Sequence, residues 1–240
     1  MSSYGAEIEP LIDDLVSGSR ILADLGVLDG FGHISARHTI NPSHFLMSRS
    51  LAPALVMHGD ILEFDANGNL VGEQGIPVFL ERFIHAEIYK VRPDVKAVVH
   101  SHSPSVIPFS VCETPLQAVF HNPAFLATGV PVFDLRAEFG ETDMLIRDNA
   151  TGCALAKALG KQSVALIRGH GDVVVGSSVP MAVFRAYYTE VNARLQMQAI
   201  SLRGPVNYLT VEEGVKADLL NNQTLLRAWD LWKRNIATKN

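Results

Sequence analysis

The sequence has few cysteines, no long apolar run and no strongly basic segment, and each absence excludes a class of protein. Two cysteines, Cys112 and Cys153, are too few for a disulfide framework, which favours a reducing cytoplasm. No window reaches about 18 uninterrupted apolar residues, so we expect no membrane span. The first residues lack a basic start before an apolar run, so we expect no secretory signal. The net charge of −5 makes nucleic acid and anionic membranes poor candidate partners.

The apolar sequence that is present suffices for a packed core. The chain has 240 residues, of which 48% are hydrophobic, and helical and strand patterns alternate without a repeat or a linker. This pattern predicts one α/β domain over residues 1–240. The predicted helices span 7–26, 79–91, 151–159, 179–200 and 211–236. The predicted strands span 33–37, 45–48, 61–65, 95–100, 130–133, 163–167 and 173–175.

Three of the nine histidines stand where strands end. His100 and His102 follow the apolar run at 95–99, and residues two apart share one face if the strand continues to 102. His170 lies between two glycines in a turn that joins two predicted strands. Neutral imidazoles suit zinc, manganese and iron, and three protein ligands leave a position open for substrate. Each motif alone is equally compatible with a purely structural histidine, but together they favour a catalytic metal site.

Glu81 supplies the carboxylate that proton chemistry would need. It lies four residues before His85 on a predicted helix, so the two side chains share a face, and that helix leads directly to the His100 strand. The alternative is a solvated glutamate paired with Arg82 or Arg92.

Three segments resemble the class II aldolase/adducin family. Residues 32–37 (GHISAR) are similar to its GN-[VI]-S-x-R loop, residues 81–102 to its E-x3-H-x3-Y…RPD…AVVH-x-H block, and residues 168–171 (RGHG) to its HG turn. The resemblance implies a three-layer α/β/α fold with a central, mostly antiparallel sheet. It also implies a divalent metal (Zn²⁺ or Mn²⁺, with Fe²⁺ possible) on His100, His102 and His170, an acid/base at Glu81, and a homo-oligomer, with a tetramer favoured.

Departures from the sugar-phosphate aldolases of that family indicate a different substrate. His33 replaces an asparagine, residues 47–53 (MSRSLAP) lack the glycine of a phosphate-binding turn, and Phe79-Leu80 replace a serine pair before Glu81. Apolar side chains offer no donors to a phosphate dianion. The pattern resembles the branch of metal-dependent decarboxylases acting on hydroxylated aromatic acids, pyridine dicarboxylates or ring-cleavage products.

This resemblance implies decarboxylation of a small carboxylic acid through an enolate. The predicted substrate contacts are His33, Ser35, Arg37, Ser48 and Arg49. The two donor groups of an arginine guanidinium match a second carboxylate of the substrate. Arg37 is equally interpretable as a member of a structural ion pair, and Arg49 as a solvated charge in a loop. Glu81, with a pKa raised by burial, is the first candidate proton donor and His121 the second. His85 is expected to pack beneath the site, and Phe79, Leu80 and residues 120–125 to line the pocket.

Three other functions remain open on the sequence alone. An aldolase acting on an unphosphorylated substrate would use the same ligands. A non-catalytic adducin-like module would not need three histidines together. An iron-dependent oxygenase would need the same open positions on the metal.

Overall fold

The structure is a computed structural model that describes residues 7–239. These residues form seven strands: β1 (His33–Arg37), β2 (Phe45–Ser48), β3 (Ile61–Phe64), β4 (Ala97–Ser101), β5 (Val132–Phe133), β6 (Val164–Ile167) and β7 (Gly171–Gly176). They also form eight α-helices: α1 (Glu9–Asp24), α2 (Arg82–Val91), α3 (Ile107–Ser110), α4 (Leu135–Phe139), α5 (Asn149–Leu159), α6 (Val179–Ser201), α7 (Val211–Thr224) and α8 (Leu226–Ala237). Among these helices, none combines the length and apolar character needed to cross a bilayer.

The strands form one mixed sheet in the order β3-β2-β1-β4-β7-β6-β5. Neighbouring strands run antiparallel except β5 and β6, which are parallel. The expected α/β class with a mostly antiparallel central sheet is therefore confirmed. In the middle of the sheet, β4 lies between β1 and β7, so the strand that carries His100 has a partner on each side.

Alternating side chains of the sheet supply two separate apolar cores. Val99 points into the core formed with α1, α6 and α8, whereas Val98 points into the core formed with α2 and α5. A strand buried on both faces is apolar on both, which explains the apolar residues at 97–99, whereas Lys96 lies just before the strand and is exposed. His100, two residues after Val98, therefore faces the layer of α2 and α5.

Local signals set the limits of α1. Pro10 lies in its first turn, where a missing amide hydrogen costs nothing. Gly26 adopts a φ of 72° after its last turn, and the Val27 amide donates to the Leu22 carbonyl. This left-handed ending is one that glycine adopts without strain.

Two predicted elements differ from the structure. The segment predicted as one helix over 211–236 is two helices, α7 and α8, that meet at the buried Leu225. The Thr224 hydroxyl donates to the Leu220 carbonyl, a contact that competes with the helical ladder and bends helices. The helix predicted at 179–200 to be amphipathic is buried on all sides over Val179–Phe184, because it begins between the sheet and α1.

Candidate metal centre and active site

The end of β4 and the turn before β7 bring three histidines together. In the antiparallel pairing of these strands Ser101 lies opposite Asp172. The residue that follows Ser101 in the chain therefore lies beside the residues that precede Asp172. Gly169 adopts a φ of +65°, and a Cβ on Gly171 would lie 2.0 Å from the Ser101 carbonyl oxygen. The two glycines of the RGHG turn thus allow the close approach that places His170 beside β4.

The three imidazoles are in mutual contact. Ring centroids lie 5.1 Å apart for His100 and His102, 5.0 Å for His100 and His170, and 4.9 Å for His102 and His170. β4 ends at Ser101, so His102 lies one residue beyond the strand, and the two histidines do not share a strand face as predicted. The imidazole of His102 nevertheless reaches the same point as that of His100. One ligand atom from each of these histidines and from Glu81 lies within 4.8 Å of all the others.

Backbone carbonyls fix which nitrogen of two imidazoles carries the hydrogen. His100 Nδ1 lies 2.9 Å from the Asp172 carbonyl oxygen, and His170 Nδ1 lies 3.1 Å from that of Met144. Since a carbonyl only accepts, both Nδ1 atoms donate, and the two Nε2 atoms keep their lone pairs. Holding a ligating histidine in this way is common around metal ions.

His100 Nε2 provides the test of whether these groups fit a cation. The atom is buried and has no hydrogen-bond partner among the described residues. A buried, unpartnered lone pair is costly in an apolar interior. Together with two further imidazoles and a carboxylate, it forms a donor set that suits a divalent cation.

Glu81 lies at the N-terminal cap position of α2 and completes the cluster. Its Oε2 lies 3.4 Å from His100 Nε2 and 3.5 Å from His170 Nε2, while its Oε1 accepts a 3.0 Å hydrogen bond from the Ile146 amide. Glu81 is therefore not the solvated glutamate of the alternative interpretation.

The prediction that burial raises the pKa of Glu81 is wrong. Burial alone acts in that direction, but in the metal-free protein the positive charge that His100 and His170 carry when protonated outweighs it, and the pKa lies well below its usual range. A cation at the same point would act in the same direction. Glu81 is thus a carboxylate in the resting site, which makes it a proton acceptor before it can be a donor.

A cavity of about 380 Å³ opens beside this cluster. Its wall is mostly apolar, with Glu81, His33 and His102 as the ionisable side chains. The remaining lining residues are Gly30, Phe31, Gly32, Ser50, Leu51, Ala52, Phe79, Leu80 and Leu145. Phe79 and Leu80 therefore lie where the sequence placed them, and such a wall suits a ring or another unsaturated group better than a phosphate.

A hydrogen-bonded chain runs from the cavity wall into the core. His33 Nδ1 lies 2.8 Å from His85 Nε2, His85 Nδ1 lies 2.6 Å from Ser35 Oγ, and Ser35 Oγ lies 2.8 Å from the Tyr89 hydroxyl. His85 and Ser35 are fully buried. Burial lowers the pKa of His85 to about 3, with the nearby His100 acting in the same direction. His85 thus holds His33, and makes no hydrogen bond to any of the three clustered histidines.

The two arginines predicted as carboxylate anchors lie outside the cavity. Arg37 donates to the carbonyls of Val95, Pro42, Tyr89 and Arg92, so its guanidinium is engaged by backbone. Arg49 forms a 2.6 Å ion pair with Asp60. Both therefore have structural partners, although Arg37 is bound by backbone carbonyls instead of an ion pair, and Arg49 is ion-paired instead of solvated.

Three other predicted residues are also absent from the cavity lining. Ser48 is buried at the end of β2 and Ser35 is occupied by His85 and Tyr89. His121 has an exposed side chain that lines no part of the cavity. Phe120 packs on Tyr188 and Phe125 lies in the apolar core, so residues 120–125 do not line the cavity of their own chain.

Sequence reasoning missed Tyr89 and the backbone anchors of the histidines. Tyr89 had a visible signal, because Glu81, His85 and Tyr89 recur every four residues and so follow one helix face. The carbonyls of Asp172 and Met144 had none, since any residue carries a carbonyl and only the fold brings these two to the imidazoles.

The family model described as the class II aldolase and adducin N-terminal domain matches residues 13–197. The chain belongs to this family. Class II aldolase/adducin relatives include the decarboxylase tropJ of Talaromyces stipitatus, 35% identical over 93% of this chain and 92% of that protein. They also include a 3,4-dihydroxyphthalate decarboxylase of Arthrobacter keyseri, 32% identical over 79% of each chain. The expected resemblance to the decarboxylase branch is thereby confirmed, and these relatives support a lyase.

Solved structures of the class II aldolase/adducin family share the fold. An aldolase II superfamily protein from Pseudomonas syringae superimposes with a TM-score of 0.83 over 99% of this chain and 96% of that one, at 22% identity. At that identity the likeness concerns the fold alone.

Proposed function

We propose that this protein is a divalent-metal-dependent decarboxylase of a hydroxylated aromatic or hydroxy-muconate-type carboxylic acid. The observation that carries this proposal is the buried, unpartnered His100 Nε2 facing Glu81 beside two further imidazoles. The relatives whose names state decarboxylation give the reaction class, and the apolar cavity next to the cluster supports the substrate class.

His100, His102 and His170 would hold the ion, with zinc or manganese as the first candidates and ferrous iron as the third. Such an ion acts as a Lewis acid toward the oxygen that takes up electron density when a carbon–carbon bond breaks. The tautomers set by the Asp172 and Met144 carbonyls keep two Nε2 lone pairs directed at one point. Little rearrangement is then needed at these two ligands.

The apolar wall would hold the unsaturated part of the substrate. Phe79 and Leu80 precede Glu81 directly in the chain, and Leu51 also lines the cavity. A cavity of about 380 Å³ accommodates a single substituted ring. When the ring occupies this apolar cavity, the carboxylate attached to the ring lies next to the cluster and out of solvent.

Glu81 would carry the proton of the reaction. As a carboxylate it takes the proton of a substrate hydroxyl and then delivers that proton to the carbon that bears the carboxylate, which restores its own carboxylate form. The bond between that carbon and the carboxylate then breaks, its electron pair restores the conjugated system with the oxygen as an anion, and carbon dioxide leaves. A fixed acid–base group of this kind contributes about 10²–10⁴-fold to rate.

His121 remains a second candidate proton donor, acting between protomers of a homo-tetramer. Its side chain is exposed in the single chain and lies away from that chain's own cavity. A role in proton transfer therefore requires the cavity of a neighbouring copy.

The test is turnover of hydroxylated aromatic acids, beginning with 3,4-dihydroxyphthalate, with carbon dioxide and aldehyde release measured in parallel. Carbon dioxide release that is lost in His100→Ala and kept in His58→Ala supports the proposal, because His58 is an exposed histidine paired with Asp13. Aldehyde release from a hydroxy-keto acid would instead indicate the aldolase alternative. Full metal loading without turnover of either substrate class would contradict both enzymatic functions.

A further inference from the structure

The four side chains that run inward from the cavity share a limited number of hydrogens. His33, His85, Ser35 and Tyr89 are joined by three consecutive hydrogen bonds of 2.6 to 2.8 Å. All four residues are buried, and no acidic side chain is bonded to any of them within residues 7–239. Neutral imidazoles are therefore the favoured forms in this interior. Each of the four groups then carries one hydrogen that it can donate.

Counting these hydrogens leaves three arrangements that satisfy all three bonds. In the first, Tyr89 donates to Ser35, Ser35 donates to His85 Nδ1, and His85 Nε2 donates to His33 Nδ1, so the hydrogen of His33 lies on Nε2. In the second, every donor is reversed, His33 carries its hydrogen on Nδ1, and the Tyr89 hydroxyl hydrogen must point elsewhere. In the third, Ser35 accepts from both Tyr89 and His85 Nδ1, His33 again carries its hydrogen on Nδ1, and the Ser35 hydroxyl hydrogen must point elsewhere.

The surroundings of Tyr89 and Ser35 decide among the three arrangements. Within the part of the chain that the structure describes, Ser35 is the acceptor available to the Tyr89 hydroxyl, and Ser35 has His85 and Tyr89 as its partners. The nearby Val98 backbone lowers the pKa of the phenol and so acts as a donor, not an acceptor. The second arrangement would leave the buried Tyr89 hydroxyl hydrogen without a partner, and the third would leave that of Ser35 without one, which is costly. The first leaves its one spare hydrogen on His33, at the cavity wall.

We propose that Ser35, which accepts a hydrogen bond from Tyr89, and His85 lock His33 as the neutral Nε2–H tautomer, which donates a hydrogen bond to an anionic oxygen of the substrate. The tautomer is a property of the protein alone, whereas the identity of the acceptor rests on the proposed decarboxylase function. His33 is then a substrate-binding residue, and Ser35 and His85 are positioning residues.

The position of His33 determines to which substrate oxygen it can donate a hydrogen bond. Its ring lies 4.5 Å from that of Phe79, on the apolar wall, and 5.2 Å from that of His100, in the metal cluster. A donor between a ring-binding wall and a cation is placed for a carboxylate or phenolate oxygen attached to the ring. A donor hydrogen bonded to a charged oxygen is among the stronger hydrogen bonds in proteins.

The tautomer can be read directly from the ¹⁵N resonances of histidine in the zinc-loaded protein. The His33 signals are assigned by their loss in His33→Gln. We expect a protonated Nε2 and an unprotonated Nδ1 for His33, and a protonated Nε2 for His85. A protonated Nδ1 on His33 would overturn the proposal.

Variants of the inner groups test whether the chain sets the tautomer. In Ser35→Ala we expect His33 to become a mixture of tautomers, because both directions of the remaining His33–His85 bond are then allowed. Tyr89→Phe leaves His85 Nδ1 as the acceptor for the Ser35 hydroxyl, so it should keep the Nε2–H tautomer. Tyr187→Phe is the matched control, since its ring packs on Trp232 away from this chain, and should leave the His33 spectrum unchanged. A pure Nε2–H tautomer persisting in Ser35→Ala would show that the chain does not set it.

Binding of 3,4-dihydroxybenzoate, with catechol as the counterpart without a carboxylate, tests the donor role. Addition of the acid to the wild-type protein should shift the His33 Nε2 resonance, and His33→Phe should weaken its binding by about tenfold or more. Ser35→Ala should weaken it by about twofold if the two tautomers become equally populated. An Nε2 resonance unmoved by both probes would overturn the donor role. Neither measurement needs turnover, so failure of the decarboxylase assay would leave both results standing.

Discussion

The Nε2 atoms of His102 and His170 lie 3.1 Å apart, although 68 residues separate the two histidines. The hydrogen of His170 is held on Nδ1 by the Met144 carbonyl, so its Nε2 presents a lone pair. Burial lowers the pKa of His102 to about 4, and the neighbouring His100 and His170 act in the same direction. A neutral His102 at this separation from the second imidazole nitrogen suits a shared cation between the two rings.

Glu81→Gln should remove the proton acceptor while preserving side-chain size. We expect kcat for aromatic acid decarboxylation to fall by about 10²–10⁴-fold, with metal content and melting temperature close to wild type. Glu87→Gln is the matched control on the same helix. Its carboxylate bonds to Lys90 and Asn149, so it should affect stability more than kcat. A Glu81→Gln enzyme with wild-type kcat would refute the proton-transfer role.

Gly171→Ala should disturb the turn that carries His170. The added Cβ would lie 2.0 Å from the Ser101 carbonyl oxygen, so the turn must move and the protein should lose about 1–3 kcal/mol of stability. We also expect zinc affinity to fall by about tenfold or more. Gly204→Ala is the control, since nothing lies within 4 Å of its added Cβ. Equal zinc affinity in the two variants would show that this turn does not position a ligand.

Acid should destabilise the protein partly through His85. Burial lowers its pKa in the folded state to about 3, whereas the unfolded chain binds a proton near pH 6.5. Stability from this group is therefore present above about pH 6.5 and is lost as the pH falls toward 3, by up to about 1.4 kcal/mol per pH unit. Denaturant unfolding between pH 7 and 5 should show a shallower loss in His85→Gln than in wild type. His121→Gln, which changes an exposed side chain, should keep the wild-type slope.

Mixing two inactive variants tests the role of His121 between protomers. If His121 works in the cavity of a neighbouring copy, Glu81→Gln and His121→Phe should each be impaired alone. Unfolding and refolding them together should restore part of the activity, because some cavities then combine an intact Glu81 with an intact His121. A His121→Phe enzyme of wild-type activity would remove His121 from the reaction.

The sequence predicted the meeting of the three histidines better than the roles of the arginines. Strand periodicity and the glycines around His170 are local features of the sequence. The structure contains the elements that they predict: β4, β7 and the turn between β6 and β7. The partners of Arg37 are carbonyls from three separate segments, which no local pattern reveals. The same limit explains the pKa of Glu81, since burial was foreseeable but the distances to His100 and His170 were not. His33 and Ser35 were singled out as substrate contacts, and only the fold shows that Ser35 is bonded to His85 beneath His33.

The most direct test of the metal-dependent site is turnover of a hydroxylated aromatic acid before and after exhaustive chelation, with metal content measured on the same samples. We predict about one divalent ion per chain in the active protein, loss of activity on its removal, and recovery when zinc or manganese is added back to wild type but not to His100→Ala. Undiminished turnover by protein shown to contain no metal would contradict the account.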